Sequence, residues 1–103
     1  MVKELPETNS MELQLSAFNW KELKKSEALR RAWMGRSTKV KSATIEYIDS
    51  IINNNKQKQD DLAEKYGCTG YSIRASMNEL LDRDFIAYKK YSGKRVLVVN
   101  HVS

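Results

Sequence analysis

Tyr71, Arg74 and Asn78 follow one another at intervals of three and four residues, the spacing that sets side chains on one face of a helix. Their chemistry suits the edge of a base pair. A guanidinium bonds the O6 and N7 atoms of guanine in pairs, and a carboxamide does the same for adenine. A phenol can stack on a sugar or meet a phosphate or a thymine methyl. Just before them stand Thr69, Gly70 and Ser72. Thr69 is a natural N-cap, Ser72 offers a hydroxyl to the backbone, and Gly70 would leave the first amides of a helix open to a phosphate. A second set, Lys89, Lys90, Tyr91, Lys94 and Arg95, alternates cations with aromatics and includes Tyr88 beside it. Cations placed on phosphates release counterions, which gives salt-sensitive affinity without sequence information.

These residues need elements to hold them, and the surrounding sequence supplies the signals. Leu62, Ala63 and Tyr66 share one face of a short helix that Gly67 can end in the left-handed conformation. Thr69 then opens a second helix, whose Ile73, Met77, Leu80 and Leu81 recur at helical spacing as a buried stripe. Two helices joined so briefly cross steeply. Downstream, Asp84 to Tyr91 and Arg95 to Asn100 are rich in aromatic and β-branched residues, and Ser92-Gly93 has the turn chemistry of a hairpin. Upstream, Ser42 is expected to cap a helix carrying Ile45, Ile48, Ile51 and Ile52, ended by Asn53-Asn54-Asn55. Lys56 to Gln59 reads as a minor strand, followed by a cap at Asp60 or its neighbour.

The stretch resembles the winged helix-turn-helix superfamily, in the style of the GntR and MarR transcriptional regulators. Leu62-Ala63, Tyr66-Gly67, Thr69, Ser72-Ile73-Arg74, Met77, Leu80 and Phe85-Ile86 carry the likeness, which spans about residues 42–100. The resemblance implies an α+β fold, a three-helix core with a β-hairpin wing, preceded here by an N-terminal helical extension. It implies that residues 70–78 enter a major groove while the wing tip, at Ser92, Gly93, Lys94 and Arg95, reaches phosphates. The function expected is sequence-selective binding of double-stranded DNA by a small prokaryotic or phage transcription regulator. The alternative is a winged-helix protein-interaction module that joins or inhibits a larger nucleoprotein complex; structured RNA is a third target. One departure favours the alternative: Arg74 and Arg83 are offset by Glu79 and Asp82, so the second helix carries no net charge. Glu79 and Asp82 fall late in that helix and are expected to point away from a groove.

Residues 1–18 read as a flexible leader, 19–41 as a basic helical extension and 42–103 as the winged domain. In the extension Asn19 is expected to cap a helix, with Glu22 completing a capping box and Gly35 ending it. Trp20, Leu23 and Met34 fall on one side of that helix, Leu29 and Trp33 on another. Trp20, Leu29 and Trp33 are therefore the candidates for a homodimer or partner contact, since tryptophan is a frequent interface anchor. A single helix reads few bases, so a dimer is expected.

The bulk properties fit that frame. With 103 residues and a mass of 11.9 kDa, the chain supports one small core. Its net charge of +5 favours a polyanionic partner. The charge clusters in two places: Lys21 to Lys41, and Lys89 to Arg95. No apolar run approaches the ~18 residues of a membrane span, and a single cysteine precludes an internal disulfide. The expected location is the cytoplasm, in association with the nucleoid. Cys68 reads as a small hydrophobe, and His101 is the only histidine. No catalytic, metal-ligating or cofactor-binding constellation is expected, nor an enzyme.

Overall fold

The computed structural model describes residues 6–101, with side chains from residue 11 onward. Five helices precede an antiparallel hairpin: α1 (Pro6–Lys24), α2 (Glu27–Ala32), α3 (Thr38–Ile52), α4 (Gln59–Tyr66), α5 (Gly70–Asp82), β1 (Ile86–Tyr91) and β2 (Lys94–Val99). The fold class is α+β. Among the described residues no helix is long and apolar enough to cross a membrane.

The amino-terminal third differs most from expectation. Residues 6–18 belong to α1 instead of a leader, while residues 1–5 lie outside the described part. Asn19 sits inside that helix and caps nothing. The reason lies in β2, whose outer edge would otherwise present bare backbone groups. The Asn19 side chain donates to the Val99 carbonyl at 2.9 Å, and the Val99 amide donates to Ser16 Oγ at 2.6 Å. Ser16, Asn19, Trp20 and Leu23 form the buried face of α1. The helix does not continue to Gly35. Ser26 breaks it, donating its hydroxyl to the Leu23 carbonyl at 2.8 Å and accepting from the Leu29 amide at 3.2 Å to start α2.

The extension is also part of the core. Trp20, Leu29 and Trp33 are 2–3 % exposed and pack in one cluster with Ile48, Leu62, Ile73, Met77, Leu80 and Ile86. Two surfaces of this segment are buried because it meets both α3 and α5. The Trp20 indole donates to Asp49 Oδ1 at 2.6 Å, where Lys24 also binds at 3.0 Å. Trp33 Nε1 reaches the Ser76 carbonyl at 3.4 Å. These three residues thus cannot serve as surface anchors for a dimer.

α3 begins earlier than Ser42. Ser37 is its N-cap, accepting from the Val40 amide at 3.3 Å, and Val40 is already buried. Residues 56–59 form no strand, and the cap of α4 is Lys58, without a side-chain bond. What positions this loop is Ser50, whose hydroxyl donates to the Tyr47 carbonyl and accepts from the Gln57 amide. Glu46 then ties α3 to α4, accepting from Tyr66 Oη and from Lys65 Nζ at 2.9 Å. Those hydrogen bonds, Tyr66 first, hold its carboxyl below the usual range.

The hairpin pairs Ile86 with Val99, Tyr88 with Leu97 and Lys90 with Arg95. Alternation gives it two faces. Ile86, Leu97 and Val99 join the helical core, and Glu12 and Ser16 of α1 bind the other face and the β2 edge. Ser92 and Gly93 both have positive φ (54° and 81°), as a two-residue type I′ turn requires.

Candidate nucleic-acid interface

The second helix of the α4–α5 pair is fixed from three directions. Gly67 ends α4 at φ 74°, in the left-handed region. Thr69 caps α5, its Oγ1 accepting from the Ser72 amide at 3.0 Å and donating to Ser72 Oγ at 2.9 Å. Ile73, Ser76, Met77 and Leu80 bury the inner face. Tyr71, Arg74 and Asn78 then stand together on the outer face, all exposed, with Tyr71 76 % accessible. Among the described residues none of the three side chains is held by a hydrogen bond or ion pair. They form a polar, hydrogen-bond-capable strip on a rigid support.

Glu79 lies at the flank of this strip. Its carboxylate is engaged by Arg83 at 2.6 Å and by Arg36 at 3.6 Å, and Arg83 above all holds it ionised by lowering its pKa. Asp82 is different. Four residues beyond Asn78, it falls on the same side as Tyr71 and Asn78 and is exposed. Distance alone separates it from the start of the helix, roughly 16 Å at 1.5 Å per residue.

Gly70 meets a carboxylate within the chain. A Cβ at this position would stand 2.7 Å from Asp60 Oδ1. The helix start that was expected to receive a phosphate already faces Asp60, a charge that its dipole favours equally. Thr69 and Ser72 are used up mainly in capping. The loop before α4 adds what the sequence reading missed. Lys56 and Lys58 line a polar recess with Tyr47, Asp60 and Arg74, which extends the cationic surface beside Arg74. Lys39, at the start of α3, lies with its Nζ 3.8 Å from the Cβ position of Gly67, at the turn. Reading 56–59 as a strand obscured the first two, whereas Lys39 belongs to the basic cluster between Lys21 and Lys41 that the sequence shows.

The hairpin cations divide. Lys89 donates to Glu12 at 2.8 Å, and Tyr91 Oη donates to the same carboxylate. Glu12 is held ionised chiefly by Lys89 and then by Tyr91, so both expected phosphate contacts are tied to α1. Their alternation explains it: Lys89 and Tyr91 share the face that α1 covers. Arg95 lies over the Tyr88 ring, 4.3 Å from its centroid. Burial, more than any charge, raises the Tyr88 phenol pKa. Lys90 and Lys94 are exposed at the tip, with no ion pair among the described residues.

Cys68 is half-buried and packs against the core. Comparison with protein families, characterised proteins and solved structures finds no match for this chain.

Proposed function

We propose that the chain is a winged helix-turn-helix domain that reads double-stranded DNA as a small transcription regulator. α5 would lie in the major groove with Arg74 and Asn78 at base edges and Tyr71 against the backbone. Lys90, Lys94 and Arg95 at the hairpin tip, with Lys56, Lys58 and Lys39 beside the helix pair, would contact phosphates. One observation carries this reading. Among the described residues the exposed strip of α5 has no hydrogen-bond or ion-pair partner, while the helix behind it is capped by Thr69 and packed through Ile73, Met77 and Leu80. A site carried on a fixed helix keeps its spacing better than one on a loop, and its unpartnered donors stay available to a ligand.

Selection from randomised duplexes at near-physiological salt tests it. An enriched motif is expected, and Arg74→Ala should cost about 1–3 kcal/mol and relax the preference at one base position. Selection without enrichment, with residual binding lost as salt rises, would defeat the reading. In its place would stand a protein-interaction module, favoured by the exposed Asp82 on the same side of α5. Such a partner would bind Arg74→Ala and Asn78→Ala undiminished.

A further inference from the structure

A cavity of about 530 Å³ opens between the end of α3, the hairpin and Leu13 of α1, within the roughly 300–1,000 Å³ range of small-molecule sites. Its wall is aliphatic, formed by Leu13, Ile51, Ile52, Val96 and Leu97. Leu13 is 43 % exposed, so part of that wall is apolar surface that folding leaves in water. The polar groups that join it are Tyr47, Tyr88, Asn54, Lys56 and Arg95. No carboxylate stands among the lining residues.

Tyr47 is 6 % exposed, yet its hydroxyl has no hydrogen-bond partner among the described residues. A buried phenol normally finds one. Among the described residues, Ser76 Oγ is the only side-chain polar atom cut off from both partner and solvent. The Tyr47 hydroxyl therefore keeps its access through the cavities that it lines, this one and the recess beside Arg74. Tyr88 faces the same space, and burial first, then Tyr47, holds its phenol protonated and able to donate. Lys56 and Arg95 form no ion pair among the described residues, and Arg95 rests on the Tyr88 ring. The nearby acids are engaged elsewhere. Glu46 holds Tyr66 and Lys65, and Asp49 holds Trp20 and Lys24. Glu12 holds Lys89 and Tyr91, which alternation sets on the opposite face of the hairpin from Tyr88 and Arg95.

We propose that this cavity binds an aliphatic carboxylate, its chain against Leu13, Ile51, Ile52 and Leu97 and its head group between Arg95 and Lys56. The Tyr47 and Tyr88 hydroxyls donate to the same head group. A guanidinium offers a carboxylate two parallel donors, and a set of donors with no carboxylate among them selects an anion. The wall selects the rest of the ligand. A neutral chain would leave two cations unanswered, and a bare anion would leave the aliphatic wall in water. The site stands independently of any nucleic acid.

NMR titration of the full chain with octanoate, in the absence of nucleic acid, is the test. Saturable shifts are expected at Leu13, Ile51, Ile52, Asn54 and Leu97, with a Kd below about 1 mM, the range open to a ligand of this size. Octanol and acetate should each bind at least about tenfold more weakly, and octyl phosphate no more tightly than octanoate. Arg95→Ala and Lys56→Ala should each weaken octanoate by about tenfold or more, the loss of one charge-assisted hydrogen bond. Lys21→Ala removes an exposed cation that does not line the cavity, and should leave the affinity within about twofold. Leu13→Glu sets a carboxylate in the wall at a half-exposed position. It should abolish binding with an unchanged circular dichroism spectrum, and the uncharged Leu13→Gln should lose less. No saturable shift up to about 10 mM would overturn the proposal. So would octanol matching octanoate, octyl phosphate exceeding it, or Leu13→Gln losing as much as Leu13→Glu. Shifts centred instead on Met11, Leu15 and Phe18, which are 68 %, 58 % and 56 % exposed on the outer face of α1, would mean surface adhesion of the chain and would overturn it equally.

Discussion

Trp33→Ala separates a core tryptophan from an interface one. The side chain is 2 % exposed and packs between α2, α3 and α5. Removing a buried indole costs about 3–5 kcal/mol, the transfer loss plus the cavity left behind. The bond to the Ser76 carbonyl adds little, since at 3.4 Å it is long and that carbonyl belongs to a helix. A domain of this size has roughly 5–15 kcal/mol to lose. Each kcal/mol moves the midpoint of a domain of about this length by roughly 4–8 °C, so Tm should fall by at least about 12 °C. Urea unfolding followed at 222 nm gives the free energy directly, provided that the slope m stays constant. Phe18→Ala is the matched control, because an exposed position should change stability by under about 0.5 kcal/mol. A Trp33→Ala loss below about 1 kcal/mol, or one no larger than that of Phe18→Ala, would refute the packing argument. It would return Trp33 to the surface.

Other outcomes follow from single contacts. Ser76 Oγ is fully buried and has no hydrogen-bond partner among the described residues, so Ser76→Ala should be neutral or raise stability by up to about 1 kcal/mol, read as Tm. Glu46 has its pKa lowered by Tyr66 and then Lys65, so its contribution is present above the ordinary carboxylate pKa and drains as the pH falls through and below about 4. A plot of Tm against pH should therefore drop less steeply on acidification for Glu46→Gln than for wild type; parallel curves would contradict the tie. If the hairpin tip meets phosphates, Lys94→Ala should reduce the salt slope of DNA binding by about one. Lys89→Ala should change it less, because Glu12 already neutralises that charge. Gly67→Ala should cost about 1 kcal/mol in urea unfolding, since φ of 74° burdens any side chain there.

Where a residue's neighbours in sequence decide its structure, the sequence was sufficient. Gly67, Thr69 and Ser92-Gly93 act within a few residues of themselves, and α5 and the hairpin follow from them and from the Ile73, Met77 and Leu80 spacing. The amino-terminal third answers to residues far away. Asn19 has the composition of a cap and is recruited by a strand edge 80 positions later. Trp20 and Trp33 lie on different sides of their segment because two helices cover them, which local pattern cannot distinguish from exposure. Ser42 has the composition of a cap, but the burial of Val40, which tertiary packing decides, carries the start of α3 back to Ser37. The candidate site divides likewise. Tyr71, Arg74 and Asn78 share a face by periodicity alone, whereas the loss of Lys89 and Tyr91 to Glu12 depends on where α1 comes to rest.

The bonds from α1 to Val99 set a timetable for synthesis. The helix leaves the ribosome before the hairpin, and the edge that it seals is made more than eighty residues later than Ser16. At roughly 5–20 residues per second that interval lasts about 4–16 s. Throughout it, Trp20 and Leu23 have no strand to close over them and Met11, Leu15 and Phe18 lie bare on the other side. A nascent chain with both faces of α1 uncovered is a natural client for a holdase chaperone. Slow codons translated after α1 has emerged and before β2 does would lengthen that exposure.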